Sequence, residues 1–273
     1  MVHNRRSQGS PELVKGWKVT TVDDSAQALH NHPLGVDPHP EVRLNHVTRS
    51  ALVLGSSQSD TVIDRAWAAA EGVDVARRRS GGGIVALRPG LETWIDVIVP
   101  STSPLWSNDV GHAFHWLGAL WATVVEELIN PRPGSNTAAG DTPGSDRAPA
   151  DRHDIRVHHG PLQGGVAGKL ICFASLGPGE VTVEGRKVVG ISQRRTRTAA
   201  RFQSVVAWQW DAGLLRRCVT QRAWAEADLD PAEIPAGLGP VAPTNSDDEA
   251  DWAGRTEPKS VENTFLAKLP AAF

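Results

Sequence analysis

The chain has 273 residues and a mass of 29.2 kDa, and 40% of its residues are apolar, which predicts one large domain around a substantial core. A formal net charge of −3 argues against a general nucleic-acid binder. No apolar run approaches the ~20 residues of a membrane-spanning helix, and the opening residues do not resemble a secretory signal. We therefore expect a cytoplasmic protein in which Cys172 and Cys218 are reduced thiols.

The first half of the chain predicts short strands, a weakly helical stretch at SAQALHNH and two longer helices after a frayed N-terminus over 1–16. Alternating or β-branched runs indicate strands at WKVTTV, VRLNHVT, ALVLG, VDVARRR, IVAL and TWIDVIVP. Three- and four-residue apolar spacing predicts a helix over 108–129, with Val110, Phe114, Leu117, Trp121, Val124 and Leu128 inward. Another helix is predicted from about Asp60 to Glu71, ended by Gly72, with Val62, Ala66, Ala69 and Ala70 inward.

The second half begins with a segment that has almost nothing to bury. Residues 131–151 are rich in Pro, Gly, Ser, Asp and Ala, which predicts a flexible insertion in a domain that extends over 17–225. Residues 226–273 read as an acidic, Pro-rich C-terminal extension with one apolar patch, FLAKL. Further strands are predicted at DIRVHHG, KLICFA, EVTVEGRKVVGISQRR and FQSVVAWQW, and a short helix at AGLLRRCV. The expected fold class is α+β with a mixed, largely antiparallel sheet.

The segment RRRSGGGIV, residues 77–85, leaves one predicted strand through three glycines and enters another. Glycines let backbone N–H groups converge on an oxyanion or a flat ligand, and neighbouring arginines supply forked donors for phosphate or carboxylate. The segment lacks the Gly-Lys-Ser/Thr of a Walker loop and the spaced glycines of a dinucleotide site. An ordinary glycine turn with solvated arginines is the alternative interpretation.

The segment EVTVEGRKVVGISQRR predicts a hairpin that turns at Gly185 and places Lys187 at the start of the return strand. The nearby arginines repel one another, which favours a bound anion or an acidic partner over a simple exposed basic loop; they are Arg186, Arg194, Arg195, Arg197 and Arg201. Cys172 is by default an inert core residue, unless these cations favour its thiolate. His158 and His159 lack partners at metal-ligand spacing, so no metal site is predicted.

Together these segments resemble lipoate-protein ligase A and the related LipM-type octanoyltransferases. RRRSGGGIV is similar to the family's arginine–Ser-Gly-Gly-Gly segment, and GRKVVGISQRR is similar to its Gly-Arg-Lys segment, where the lysine is catalytic and binds the ligand. The segment LGSSQ, residues 54–58, stands where the family has a short strand-end loop. The resemblance covers roughly residues 45–220.

The resemblance implies the α+β catalytic fold shared with biotin-protein ligases, and attachment of a lipoyl or octanoyl group to the lysine of a lipoyl domain. It implies lipoyl domains of 2-oxoacid dehydrogenase complexes or the glycine cleavage H protein as partners, without nucleic acid or membrane. Lys187 is implied to contact the acyl carbonyl and the phosphate, neutralising the leaving anion. The implied substrate- or nucleotide-binding residues are Arg78, Ser80, Gly81, Gly82, Gly83, Ile84, Val85, Ala86 and Lys187.

Three alternatives stay open within this resemblance. A ligase works through an acyl-adenylate and needs ATP and Mg²⁺, and the triple glycine favours it. An octanoyltransferase needs no cofactor and takes octanoyl from acyl carrier protein as a thioester on Cys172, which lies 187 − 172 = 15 residues before Lys187. A non-catalytic acyl- or adenylate-binding homologue is the third, because the chain continues as ALRPG where the ligases usually have an aromatic residue, His and Asp.

Overall fold

The structure, a computed structural model, describes residues 12–34, 39–130, 152–207, 212–230 and 253–272. Its strands are β1 Glu12–Val14, β2 Trp17–Asp24, β3 Glu41–Val47, β4 Ala51–Leu54, β5 Asp74–Arg77, β6 Val85–Leu87, β7 Thr93–Pro100, β8 Ile155–Val157, β9 Val181–Val183, β10 Arg186–Arg195 and β11 Ala199–Val206. Its main α-helices are α1 Ala26–Asn31, α2 Arg65–Ala70, α3 His115–Ile129, α4 Gly165–Leu170, α5 Ala212–Cys218, α6 Gln221–Glu226 and α7 Pro258–Lys268. The predicted α+β class is confirmed.

Two sheets organise the described strands. The large sheet has the order β1-β2-β3-β7-β11-β10-β9-β8, and within it only β2 and β3 run parallel. The small sheet has the order β5-β4-β6, with β4 parallel to β5 and antiparallel to β6. The expectation of a mixed, largely antiparallel sheet is therefore confirmed.

The hairpin from β9 to β10 turns where the sequence predicts it. Glu184 and Gly185 both have positive φ, 50° and 73°, as the two central residues of a type I′ turn require. This turn carries the chain directly into Arg186 and Lys187 at the start of β10.

Both faces of the large sheet are covered. On β7, Ile95, Val97 and Val99 belong to the core under α3 and α7, whereas Trp94 belongs to the cluster between the two sheets. All eight residues of β7 are buried, which explains why TWIDVIVP lacks strict alternation. The space between the two sheets is where the candidate site lies.

The two predicted helices are shorter than expected. The first is broken into a 3₁₀ turn, Asp60–Val62, and α2, because Asp64 caps α2 by accepting the amide hydrogen of Trp67. This break changes the helical phase, so three predicted inward positions are wrong: Ala66, Ala69 and Ala70 are exposed, whereas Ile63 and Ala68 are buried. Val62, the fourth, is half-buried and packs against the same buried cluster as Ile63. The expected stop at Gly72, with φ +67°, is confirmed.

The second helix, α3, begins at His115 after a 3₁₀ turn. Its predicted apolar face is confirmed at four positions, which are Leu117, Trp121, Val124 and Leu128. Val110 precedes the helix and is 56% exposed, so its predicted inward position is wrong. In the part of the chain that the structure describes, we find no helix with the length and apolarity needed to cross a membrane.

KLICFA is not a strand, and this prediction is wrong. Helix α4 ends at Leu170, Ile171 forms a single bridge to Ile84, and Cys172–Ala174 is a 3₁₀ turn. An apolar run this short does not distinguish helix from strand by periodicity. As a consequence, Cys172 begins a 3₁₀ turn instead of lying within a strand.

The C-terminal apolar patch FLAKL lies within α7, which packs on α3 with Phe265 and Trp121 ring centroids 4.6 Å apart. The tail continues to the first hairpin, where the indole of Trp17 donates to the carbonyl of Pro270 at 2.8 Å. The predicted insertion 131–151 lies outside the described residues. The prediction of a frayed N-terminus over 1–16 is wrong for Glu12–Val14, because these residues form β1, which pairs with β2. The division into 1–16, 17–225 and 226–273 stays a prediction.

Candidate functional site

A cavity of about 300 Å³ lies between the large sheet and the small sheet. Its apolar wall comes from both sheets and from the turn after α4, and includes Val53, Val85, Leu87, Trp94, Phe173 and Val205. Cys172, Ser175 and Glu180 contribute the polar part of the wall beside Phe173. Such a mostly apolar cavity with a few convergent polar groups is typical of a site for a small ligand or an acyl chain.

Lys187 lies behind this polar wall and is only 4% exposed. Its ammonium group lies 2.7 Å from Glu180 Oε2 and donates to the carbonyl oxygens of Cys172 and Ser175 at 3.1 Å each. The sulfur of Cys172 is 3.8 Å from Lys187 Nζ, and the Phe173 ring centroid is 5.2 Å away. The ammonium group therefore has three oxygen partners and a thiol within reach.

The local backbone directs Lys187 into this position. The pairing of β10 with β9 shifts register between Lys187 and Val189, which is a β-bulge or related irregularity that re-aims a side chain. The lysine side chain then passes over Gly190, where an added Cβ would come within 3.2 Å of Lys187 Cε. A glycine at this position thus leaves room for the lysine.

The charges around Lys187 keep it protonated. Burial by itself lowers the pKa of Lys187, but the negative charges available at Cys172 and Glu180 outweigh burial, so the pKa is raised above its ordinary value. The carboxylate of Glu180 is also held in place, because it accepts hydrogen bonds from the backbone amides of Gly177 at 2.6 Å and Ile191 at 3.0 Å. The site therefore contains a buried ion pair whose hydrogen-bonding groups are satisfied within the protein.

The glycine-rich loop is held by its own arginine. Arg78 is 5% exposed and donates to the carbonyl oxygens of Val53, Gly81 and Gly83 at 2.7–3.2 Å. Burial lowers the pKa of Arg78, against the attraction of Cys172 and Glu180. The forked donors of Arg78 are thus used to shape the loop.

Close packing around Gly83 explains why the glycine-rich loop ends in a glycine. An added Cβ would lie 2.5–2.6 Å from the backbone of Ile171 and Cys172, which is closer than real Cβ contacts allow. This close approach lets the amide of Cys172 donate to the carbonyl of Ile84 at 3.0 Å. The glycine segment therefore positions Cys172 through its backbone.

The structure brings some of the sequence-predicted residues together and separates others. Those at the cavity are Arg78, Gly81, Gly82, Val85 and Cys172, with Lys187 directly behind. Gly83 packs on the backbone behind Cys172, and the carbonyl of Ser80 accepts the amide hydrogen of Ser56 at 2.9 Å. The side chains of Ile84 and Ala86 do not reach the cavity; they pack in the cluster beneath the small sheet.

Sequence reasoning missed Glu180, His30, Gln203, Trp94 and Phe173 as site residues. Glu180 has one usable signal, since it is an acidic residue directly before a buried strand. His30 and Gln203 have none, because they meet only after α1 and β11 pack together, at 3.3 Å between His30 Nδ1 and Gln203 Nε2.

Two arginines of the predicted basic cluster are held by other parts of the protein. Arg201 is 1% exposed, forms an ion pair with Asp96, and donates to the carbonyls of Leu29, His30 and His32 at the end of α1. The Arg195 guanidinium lies 4.1 Å from the Trp106 ring centroid. These two arginines have structural partners, so their repulsion does not require a bound anion.

A second, wider cleft of about 590 Å³ adjoins the cavity. The two spaces share Gly82, Leu162 and Ser175 in their walls. The cleft also has a glycine-rich wall and one lysine, Lys169. An elongated ligand can therefore extend from one space into the other.

Comparisons with known proteins agree with this architecture. The fold is similar to a T. acidophilum protein described as a lipoate protein ligase with bound lipoic acid, at 13% identity and a TM-score of 0.53 over 94% of this chain and 84% of that chain. It is also similar to a lipoate-protein ligase A bound with ATP, at 12% identity and a TM-score of 0.54 over 92% and 82% of the two chains. No curated protein sequence matches the chain.

A family profile described as the lipoyl protein ligase A/B catalytic domain matches residues 26–243, which is most of the chain. The matched range includes the glycine-rich loop, Cys172, Glu180 and Lys187. The predicted resemblance is confirmed: the chain belongs to the lipoyl protein ligase A/B catalytic domain family.

Proposed function

We propose that the protein transfers a medium-chain acyl group, lipoyl or octanoyl, to the lysine of a lipoyl domain, with Cys172 as the intermediate acyl acceptor. The observation that carries this proposal is the distance of 3.8 Å between Cys172 Sγ and Lys187 Nζ, at the wall of an apolar cavity. A nearby cation stabilises a thiolate, and the thiolate is the reactive nucleophile. The thioester route therefore stands ahead of the adenylate route.

The proposed reaction has two balanced steps. In the first, the Cys172 sulfur bonds to the carbonyl carbon of an acyl thioester, the bond to the carrier sulfur breaks, and the proton of Cys172 passes to that sulfur. In the second, the amine of the target lysine bonds to the same carbon, the bond to Cys172 breaks, and one amine proton returns to its sulfur. An amide is formed without ATP, and an acyl carrier protein is the expected donor.

Lys187 supplies fixed positive charge in both steps. Its three hydrogens already have oxygen partners, so it acts on Cys172 through charge at 3.8 Å rather than as a free donor. A preorganised cation in a water-poor site stabilises the negative charge that develops on sulfur and oxygen. Glu180 keeps that cation in place.

ATP-dependent ligation is the second candidate, and the adjoining cleft favours it. In this route the cleft takes the nucleotide and the cavity takes the acyl chain; the two spaces meet at Gly82 and Ser175, and Lys169 supplies a cation for the phosphates. In this route an acyl carboxylate attacks the α-phosphate, pyrophosphate leaves, and Mg²⁺ accompanies the nucleotide. The route is ranked second because Arg78, the buried arginine of the loop, has its donors on carbonyl oxygens.

Intact-mass analysis of a lipoyl domain separates the two routes. The domain is incubated with the protein and octanoyl-acyl carrier protein in one tube, and with lipoate, ATP and Mg²⁺ in another. We expect octanoylation in the first tube, a hydroxylamine-sensitive adduct on Cys172, and loss of both in Cys172→Ser. Cys218→Ser is the matched control, because Cys218 is buried in another cluster.

Two outcomes contradict the proposal in different ways. Modification only in the ATP tube, unaffected by Cys172→Ser, replaces the thioester route with ligation. An unmodified lipoyl domain in both tubes, with acyl acids still bound, indicates a non-catalytic acyl-binding protein.

A further inference from the structure

His30 and Gln203 are two of the polar side chains that line the acyl cavity away from the Cys172–Lys187 pair. His30 comes from α1 and Gln203 from β11, and each is 8% exposed. The imidazole of His30 packs against Trp94 in a tilted arrangement, with ring centroids 4.4 Å apart. Buried polar side chains in an otherwise apolar wall need hydrogen-bond partners, so each of their atoms can be accounted for.

The partners of Gln203 fix the orientation of its amide. Gln203 Nε2 lies 3.3 Å from Asp96 Oδ1 and 3.3 Å from His30 Nδ1. Asp96 also accepts hydrogen bonds from Trp94 and Arg201, which keeps its carboxylate an acceptor. Both amide hydrogens of Gln203 are thus used, and its carbonyl oxygen points away from Asp96.

The same contact fixes the tautomer of His30. Burial lowers the pKa of His30 to about 4, so the ring is neutral near pH 7. Because Nδ1 accepts from Gln203, the ring hydrogen of neutral His30 is on Nε2. The pair therefore consists of one donor, His30 Nε2–H, and one acceptor, Gln203 Oε1.

Neither of these two atoms has a hydrogen-bond partner among the residues that the structure describes. Neither atom is among the described side-chain polar atoms that are fully buried without a hydrogen-bond partner. The cavity is a space that both residues line. The donor and the acceptor are therefore available to whatever occupies it.

The pairing of the strands places this donor and acceptor some way from the reacting centre. Gln203 pairs with Ser192 on β10, two residues beyond Gly190, over which the Lys187 side chain lies. Two residues of a strand correspond to roughly 6.6 Å. An acyl carbonyl at Cys172 thus has several methylene groups between it and the His30–Gln203 pair.

We propose that His30 and Gln203 form a recognition site for a hydrogen-bonding group on the acyl chain, so that the preferred acyl group carries a hydroxyl or amide-like group several methylenes from its carbonyl. This inference rests on the proposed function, because it concerns the same cavity. A plain alkyl chain displaces water from both polar atoms and pairs with neither. A site built to hydrogen-bond a ligand discriminates strongly against an analogue that lacks the group.

Isothermal titration calorimetry with the full chain tests this inference without requiring transfer. The probes are octanoate and octanoates hydroxylated at carbon 6, 7 or 8, whose carboxylate stands in for the acyl carbonyl. We expect at least one hydroxyoctanoate to bind about tenfold or more tightly than octanoate. Octanoate binding as tightly as every hydroxyoctanoate overturns the inference.

Two variants and a matched control assign the preference to the pair. Gln203→Leu and His30→Phe are each expected to bring the ratio of hydroxyoctanoate to octanoate affinity to about one. Ser192→Ala changes a neighbouring cavity residue and is expected to keep the wild-type ratio. A preference that survives in both variants overturns the assignment, and the wild-type comparison remains decisive if a variant does not fold.

Different experimental outcomes contradict this inference and the proposed function. If octanoyl is transferred through Cys172 and hydroxyoctanoates bind no better than octanoate, only the inference fails. If the affinity preference is found but no adduct forms on Cys172, only the transfer route fails. If none of the probes binds, both fail.

Discussion

Glu180 and Lys187 form an ion pair at 2.7 Å in which both side chains are almost fully buried. Lys187 follows the hairpin turn by two residues, and Glu180 directly precedes the hairpin's first strand, so one supersecondary unit carries both charges. The pair lies directly behind Cys172. The ion pair is therefore expected to affect both the free energy of unfolding of the domain and the reactivity of the Cys172 thiol.

Removing one partner of this pair is expected to cost more than removing both. Lys187→Met leaves the Glu180 carboxylate buried without its cation, and breaking such a buried pair typically costs about 3–5 kcal/mol. Lys187→Met/Glu180→Gln removes both charges of the pair and is expected to recover part of the loss. Chemical denaturation of Lys187→Met, Glu180→Gln and the double variant measures the coupling as a double-mutant cycle.

The exposed pair Arg222–Glu226 on α6 is the matched control for that cycle. Its two side chains are mostly solvated, so the same substitutions are expected to show almost no coupling. Equal coupling in the two pairs contradicts the interpretation that Lys187 and Glu180 act as a buried unit.

The two thiols are expected to react at different rates with iodoacetamide. Burial raises the pKa of Cys218 to about 11, so it is protonated near neutral pH. Cys172 is partly exposed at the cavity and lies beside Lys187. Peptide mapping should find Cys172 labelled first and should find slower labelling in Lys187→Met. Labelling of Cys218 at the same rate as Cys172 contradicts the prediction.

Arg201 is expected to act in stability rather than in anion binding. Its ion pair with Asp96 is buried, so Arg201→Met leaves an uncompensated carboxylate and should cost about 3–5 kcal/mol in the free energy of unfolding. Arg194→Gln is the control, with an expected change within about 0.5 kcal/mol. Urea denaturation with and without added phosphate measures both. A mild effect of Arg201→Met, together with strong stabilisation by phosphate, restores the anion-site interpretation.

Acid should destabilise the protein partly through His30. Its pKa is about 6.5 in the unfolded chain and about 4 in the folded protein, so the unfolded state binds more protons between these values. Stability is therefore lost as the pH falls through this window, by on the order of 2 kcal/mol between about pH 7 and about pH 5 for this one group. Denaturation of His30→Phe should lack that component.

His39→Gln is the control for the pH series, because His39 is exposed. Its pH dependence is expected to match that of the wild type. An unchanged pH profile in His30→Phe contradicts the assignment of this component to His30.

The local features of the fold were predictable because they depend on short windows of sequence. Strands β2, β7 and β11 follow from β-branched and apolar runs, and the turn at Gly185 follows from a single glycine between two such runs. KLICFA was not predictable in this way, because a short apolar run fits a helix end as well as a strand. The family also followed from two local motifs, the glycine-rich loop and the Gly-Arg-Lys segment.

The sequence by itself determined the fold class, the family and the two segments that supply Cys172 and Lys187. Only the tertiary structure decided which of the more distant polar and charged residues meet. Asp96 and Arg201 are 105 residues apart, and His30 and Gln203 are 173 apart. Such contacts leave no periodic pattern in the sequence. They form when the two sheets pack, and burial makes any arrangement that leaves these polar or charged groups unpaired costly in free energy. That is why Arg201 proved to be structural and why a donor–acceptor pair appeared in the cavity.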